Sequence, residues 1–335
     1  MPSATLDRVL AVLVVAMVAT GLVSLRIGAA SGRWLFVAHA LLAGALATAV
    51  ALKLRSSVGR AVAGRRWGRL ALGLSVSLAA IAALVGGYAW VASGRLLEVG
   101  PWTVLTLHAW AGLALLPLVA VHLLPRRWRL LRPSRRSVAK FPAGLVSRRS
   151  LLAAAGLAGM GVAGLGVASL AERLTGGERR FTGSRSLSPG GVPPVTTFFG
   201  EGPPPVDAAS WRIRISGLVE RPTDHDLASL AALGEADLTA ILDCTSGWAL
   251  ETAWRGTPVA TLLDDAGAAP GTTIEVRSAT GWSTSLSLAE ARRALLATHV
   301  AGLPLAVGNG APVRLVVPDH RGLDWVKWVS EIRVS

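Results

Sequence analysis

Five long apolar runs fill the first half of the chain, at roughly 9–25, 34–52, 70–92, 103–124 and 151–171. Each is close to the ~20 residues that an α-helix needs to cross the hydrocarbon core of a bilayer. Beyond 172 the pattern breaks. Residues 173–210 are rich in Arg, Gly, Ser and Pro, a composition expected of an extended linker or arm. From 211, apolar and polar positions alternate over short stretches. Trp211–Ile215 reads as a strand, as do Leu238–Leu242, Thr273–Ser278, Pro312–Val317 and Trp325–Val334. Short amphipathic helices are expected at 226–233, 258–266 and 288–295. Strands and helices do not alternate regularly, so this stretch reads as one α+β domain. The pattern divides the chain into a four-helix membrane domain (1–130), a segment with a basic loop and the fifth span (131–172), a linker or arm (173–210) and a globular domain (211–335).

Charge separates the two halves. The net charge is +14, but residues 1–171 hold 19 Lys and Arg against two acids, Asp7 and Glu98, whereas residues 172–335 hold 15 against 18. The positive charge flanks apolar spans, and neither half shows the basic, aromatic-interleaved surface that grips phosphate backbones, which argues against a nucleic-acid partner. Lys53, Arg55, Arg60, Arg65, Arg66 and Arg69 lie between the second and third runs. Arg126, Arg127, Arg129, Arg132, Arg135, Arg136, Lys140, Arg148 and Arg149 follow the fourth. The loops at 26–33 and 93–102 are short and nearly uncharged. The positive-inside rule therefore places the amino terminus and both basic loops in the cytoplasm, and everything after the fifth span outside it. The expectation is a multi-pass protein of the cell membrane with an extracytoplasmic globular domain.

The fifth run is unusually rich in Ala and Gly, and Ser147-Arg148-Arg149-Ser150-Leu151-Leu152 precedes it. This resembles a twin-arginine export signal, with Leu for the usual Phe and Ala153 for the usual Lys. Paired arginines before a span also follow from the positive-inside rule alone. The export reading implies the twin-arginine machinery as a partner, and a cargo folded around its cofactor before translocation.

Three of the six histidines, His39, His108 and His122, fall within apolar runs. Ionisable side chains at membrane depth are costly and mark functional sites by default. His39 and His108 each lie about five residues from the outer end of their span, and equal depth on two helices is what a bis-histidine haem requires. His108 and His122 are 14 residues apart, which returns to within ~40° of one helix face, ~21 Å along the axis. That spacing resembles the haem helices of membrane cytochromes b. The fourteenth residue after His39 is Lys53, so His122, a further possible iron ligand, lacks an obvious partner. The reading is one outer haem b held by His39 and His108. A mere headgroup-level role for these histidines is the alternative.

Cys244 is the only cysteine, in the run Ile241-Leu-Asp-Cys-Thr-Ser-Gly-Trp248. It cannot form an internal disulfide or build a zinc or iron–sulfur site alone. It can be a buried apolar residue, a nucleophile, a redox sensor, or the single protein ligand of a metal whose other ligands come from a cofactor. The surrounding motifs narrow the choice. They run Trp211-Arg-Ile-Arg-Ile-Ser-Gly217, Leu242-Asp-Cys-Thr-Ser-Gly-Trp248, Trp254-Arg-Gly-Thr-Pro258, Gly281-Trp-Ser-Thr-Ser-Leu286, Gly302-Leu-Pro-Leu305, Gly310-Ala-Pro-Val-Arg-Leu-Val-Val-Pro318 and Val326-Lys-Trp-Val329. In order and spacing, residues 211–334 resemble the molybdopterin-binding domain of the sulfite oxidase family.

The resemblance implies a molybdopterin cofactor whose molybdenum takes its protein thiolate from Cys244, a soft ligand suited to a redox metal. It implies that Arg314 and Lys327 hold the pterin and its phosphate, and that Thr245 and Arg255 contribute to the cofactor site. His320 and Arg321 are expected to contact cofactor or substrate, and Trp248 either shapes the pocket or is plain core. The whole then reads as an all-α bundle of five spans followed by a sulfite-oxidase-type α+β domain. Its expected work is molybdenum-dependent oxidoreduction, with electrons exchanged through haem b with the quinone pool or a membrane partner. Reduction of an S- or N-oxide is the favoured direction. A sulfite-type dehydrogenase and a non-catalytic cofactor-holding protein are the alternatives.

Overall fold

The structure, a computed structural model, describes residues 3–63, 67–123, 148–196, 202–271 and 273–335. Arg65, Arg66, the basic positions between 126 and 140, and Ser147 of the export-like motif lie outside the described residues. The chain forms two compact units. One comprises Met1–Ser24 and Ser31–Gly183, the other Leu25–Ala30 and Ser184–Ser335.

In the first unit, five described helices are long and apolar enough to cross a bilayer. They are α1 (Ser3–Ser24), α2 (Arg33–Ala63), α3 (Trp67–Ala92), α4 (Val104–Leu123) and α5 (Arg148–Thr175), with a short hairpin, β1 (Glu98–Val99) and β2 (Trp102–Thr103), before α4. Val14, Val18, Leu46, Val50, Ala80 and Leu115, from the first four helices, meet in a common core. The glycines of α5 have a packing role. A Cβ on Gly161 would come within 2.6 Å of the Leu41 carbonyl oxygen, and one on Gly44 within 2.7 Å of that of Met160. Helices α2 and α5 thus touch backbone to backbone, the contact that small residues permit where lipid supplies no hydrophobic drive between helices. Tyr88 adds a hydrogen bond to the Gly164 carbonyl at 2.7 Å.

The second unit holds two sheets. In the first sheet, the long strand β7 (Trp248–Pro258) pairs along one edge with β6 (Ala236–Asp243). Its other edge takes β3 (Arg185–Ser186) near its start and β10 (Leu295–Val300) near its end, and β10 in turn carries β11 (Leu303–Pro304) and β12 (Arg314–Val316). The second sheet runs β5 (Thr223–His225), β4 (Ile213–Gly217), β13 (Val329–Val334), β8 (Thr273–Ser278) and β9 (Ser283–Ser287), with β13 and β4 parallel. Short helices α6 (Leu227–Ala232), α7 (Val259–Asp265) and α8 (Leu288–Ala291) connect strands. Asp226 caps α6, and Ser287 with Glu290 forms a capping box at α8.

Two expectations need correction. The linker read over 173–210 is partly built into the fold: α5 runs on to Thr175, and Arg185 and Ser186 form a parallel strand against Trp248 and Ala249. Of the two readings, linker or arm, the packed strand goes with an arm, for Ser184 and Arg185 are buried. The helix expected over 288–295 stops at Ala291, and Leu295 opens the central strand β10. A strand buried on both faces has no alternation to reveal it.

Candidate functional site

Strand β6 delivers Cys244 to a tight turn. The Cys244 carbonyl accepts from the Gly247 amide at 3.0 Å, and the Cys244 amide donates to the Trp248 carbonyl at 2.8 Å. Gly247 has φ 106°, a left-handed conformation open to glycine, so Ser-Gly after the cysteine is a turn requirement. The Cys244 thiol is free and half-buried, with its sulfur 3.1 Å from the Ser246 hydroxyl.

Arg321 braces this turn from below. Its Nε donates to Asp243 Oδ1 at 3.2 Å, and its Nη2 donates to Ser184 Oγ and to the Cys244 carbonyl, both at 3.1 Å. Ser184 donates to the same Asp243 oxygen at 2.6 Å, and the Gly322 amide donates to the Asp243 carbonyl at 2.7 Å. Asp243 and Arg321 are nearly inaccessible, at 1% and 3% exposure. Asp243 and Ser184 were not singled out from the sequence; the only hint was an acid immediately before the lone cysteine.

Arg314 is placed by sheet register. It pairs with Ala297, which pairs with Gly256 on β7, and directly opposed residues share a sheet face. Trp254 and Thr252 lie on that face of β7, and Leu242, two residues before Cys244, joins it through Leu250. The Arg314 guanidinium stacks 5.5 Å from the Trp254 ring and 5.8 Å from that of Trp325. Its Nη1 donates to the Asn309 carbonyl at 3.1 Å, but the buried Nε has no partner among the described residues. Burial lowers its pKa from the usual guanidinium range to about 10, with the Cys244 sulfur pulling the other way. Lys327 lies close by: a Cβ on Gly310 would sit 3.1 Å from the Cβ of Lys327 and 3.2 Å from that of Arg314. The Lys327 ammonium donates to the Thr196 and Gly308 carbonyls, each at 2.7 Å.

Three expected site residues are placed elsewhere or otherwise engaged. Arg255 sits seven residues along β7 from Trp248, roughly 23 Å at ~3.3 Å per residue. Its side chain is exposed and paired with Glu235 at 2.8 Å. His320 Nδ1 lies 3.0 Å from an Asp324 carboxylate oxygen and Nε2 3.1 Å from one of Glu290, so both ring nitrogens are occupied. The Asp324 hydrogen bond, followed by its charge and by Glu290, holds the His320 pKa above 6.5 against the opposing effect of burial. Trp248 is a core residue, 5% exposed, whose indole donates to Thr196 Oγ1 at 3.3 Å. Thr245 follows Cys244 in the turn and is half-buried.

The residues around Cys244 fit an anionic, sulfur-bound metal cofactor. Among the described residues no group of three His, Cys, Asp or Glu could hold a metal ion. The unsatisfied Nε of a buried guanidinium calls for an anion, as a fixed planar donor does for phosphate or a conjugated acceptor.

In the first unit, α2 and α4 bring His39 and His108 together, with ring centroids 6.1 Å apart and planes at 80°. Two imidazoles sharing one metal at roughly 2.0–2.1 Å per bond place their centroids about 6 Å apart. His108 Nδ1 lies 2.7 Å from the Ala83 carbonyl, which can only accept, so Nδ1 carries the proton. His39 Nδ1 lies 2.8 Å from Thr20 Oγ1, whose single proton is directed to the Ala16 and Met17 carbonyls at 2.8 and 3.0 Å. Thr20 therefore accepts from His39, and both rings present Nε2 with a lone pair, the orientation that metal-binding histidines take from their surroundings. Gly87 leaves room for the His108 ring, where a Cβ would lie 3.2 Å from it. His122 lies against Gly73 on α3, whereas Lys53 is ion-paired with Asp7 of α1.

Comparison with known proteins gives one family match and several relatives. Residues 201–335 match the model of the oxidoreductase molybdopterin binding domain. The protein-methionine-sulfoxide reductase catalytic subunit MsrP of Gluconobacter oxydans is 33% identical over 37% of this chain and 46% of its own length. The putative protein-methionine-sulfoxide reductase subunit YedZ1 of Azospira oryzae is 30% identical over 39% of this chain and 51% of its own. The chain thus spans about half the length of these curated relatives. Among solved structures, the sulfane dehydrogenase SoxCD of Paracoccus pantotrophus aligns with TM-score 0.38 and 26% identity, over 40% of each chain.

Proposed function

We propose that the chain is a membrane-anchored molybdenum oxidoreductase that reduces a sulfoxide, because residues 201–335 match the model of the oxidoreductase molybdopterin binding domain. The observation that carries this is the pairing of a free thiol, Cys244, with a buried guanidinium, Arg314, whose Nε lacks a partner among the described residues. Cys244 would ligate the metal, while Arg314 and Lys327 would hold the anionic part of the cofactor. Once bound, the group supplies two-electron oxygen-atom transfer. In the overall change the sulfur–oxygen bond of the sulfoxide breaks, two electrons and two protons are taken up, and a thioether and one water leave.

The chain's own residues prepare that chemistry. Arg321 and Ser184 fix the turn through Asp243 and the Cys244 carbonyl, and the Ser246 hydroxyl faces the sulfur. The charge balance favours a neutral substrate. Arg321 is neutralised by Asp243 and Arg255 is paired with Glu235 on the surface, so neither offers a free cation to a sulfite-like anion. The similarity to methionine-sulfoxide reductase subunits points the same way.

Electrons are proposed to arrive from quinol or a membrane partner by way of one haem b on His39 and His108. Their spacing and shared tautomer support this. The domain is proposed to lie outside the cytoplasm after twin-arginine export. In support, the positive-inside rule puts the α1–α2 loop outside the cytoplasm, and Leu25–Ala30 of that loop cluster in one unit with Ser184–Ser335. The test is to purify the chain in detergent and to quantify molybdenum, haem and sulfoxide reduction together. One molybdenum lost with Cys244→Ala, one haem lost with His39→Ala, and turnover abolished by either variant are expected. Full quinol-driven turnover without haem would sink the relay.

A further inference from the structure

The second unit includes six residues remote in sequence from the rest, Leu25–Ala30, between α1 and α2. They are built onto one loop. Ile27 forms an antiparallel bridge with His320. Gly28 lies so close to the opposing backbone that a Cβ would come 2.7 Å from the Asp319 carbonyl oxygen. Arg26 forms an ion pair with Asp324 and donates to Thr284 Oγ1 at 3.3 Å.

Asp324 is the hub of this contact. It is 1% exposed, accepts from Thr284 Oγ1 at 2.8 Å, and faces His320 at 3.0 Å. A buried carboxylate needs compensating charge and donors, and leaving it short of a partner is costly. The same loop carries Arg321. The Asp324 amide donates to the Arg321 carbonyl at 2.9 Å, and the Trp325 indole donates to the His320 carbonyl at 3.2 Å. One end of the loop is therefore tied by Arg26, and its middle residue grips the turn that bears Cys244.

We propose that Arg26 is a positioning residue for the Cys244 site: through Asp324 it holds the 318–325 loop in the register that lets Arg321 fasten Asp243 and the Cys244 carbonyl. The role rests on the reading of Cys244 as the molybdenum ligand. Without Arg26, Asp324 keeps only Thr284 and His320, and the loop relaxes toward water or toward a stronger grip on His320. Either movement shifts Arg321, and misplacement of a ligand by about 1 Å costs on the order of 100-fold in rate.

The test uses the full detergent-solubilised enzyme. In Arg26→Ala, molybdenum content is expected to stay near wild type, while the paramagnetic molybdenum signal shifts or broadens. The kcat for a sulfoxide should fall about 10- to 100-fold with KM changed less than about twofold. Arg26→Lys should restore most of the rate and the wild-type signal, because it returns the charge to Asp324. An unchanged signal and kcat in Arg26→Ala would overturn the role, as would equal loss in Arg26→Lys. If Arg26→Ala fails to accumulate, Arg26→Gln, which keeps a donor, decides by the same two readouts. Wild-type enzyme that binds no molybdenum would instead remove the premise about Cys244, a result visible before any variant is made.

Discussion

Replacing Arg314 with methionine tests whether a buried cation waits for the cofactor. The fall of the Arg314 pKa from the usual guanidinium range to about 10 corresponds to roughly 3 kcal/mol of lost preference for the charged form. Stacking against Trp254 and Trp325 returns about 1–2 kcal/mol, and one charged hydrogen bond to the Asn309 carbonyl about 1.5 kcal/mol. The contributions nearly cancel, so in the cofactor-free protein Arg314 adds little to stability. Methionine keeps the volume, and its thioether suits the two indoles. Cofactor-free Arg314→Met should therefore unfold within about 1 kcal/mol of wild type, a Tm change of roughly 2–4 °C for a unit of this size. The assay is thermal unfolding of detergent-solubilised chain from hosts with and without molybdopterin synthesis. Wild type should gain Tm on loading and Arg314→Met should gain much less, with cofactor occupancy reduced. A drop of about 3 kcal/mol or more, some 6–12 °C, in cofactor-free Arg314→Met would refute the reasoning and make the residue structural.

Three further outcomes are expected. Because the folded-state pKa of His320 is raised above 6.5, its stabilisation is complete below 6.5 and is lost as pH rises through the higher folded value. In His320→Gln, the Tm should be flatter with pH across that window, as melting curves in a pH series would show. Arg321→Leu leaves Asp243 buried without its cation and should cost about 3–5 kcal/mol, with part recovered in the Arg321→Leu, Asp243→Leu double variant, as denaturant titration would measure. Arg255→Ala removes an exposed pair and should change stability by less than about 1 kcal/mol and kcat by less than about twofold. A large loss of activity there would return Arg255 to the site.

The spans, the lone thiol and the order of motifs follow from the amino-acid order alone, because these are local. An apolar run near ~20 residues long must be a helix where no water can satisfy its backbone. Gly247 announces the turn after Cys244, and the 14-residue spacing of His108 and His122 is a property of one helix. The meeting of His39 and His108 was legible as equal depth on two spans, but their shared tautomer depends on Thr20 and on the Ala83 carbonyl, which only the packed bundle supplies. Strand β7 lacked a clear alternating signal, since its buried positions include Thr252 and Gly256 and its exposed ones include Ala253. Arg255 and Arg314 look alike as basic residues within family-like motifs. Register places one on the exposed face of β7 beside Glu235 and the other on the opposite face against two tryptophans. Arg26 lies 298 residues from its carboxylate, and Ser184 lies 59 from Asp243. Contacts at such separations are decided by how the chain closes on itself, because no local preference encodes which buried charge a distant residue will neutralise.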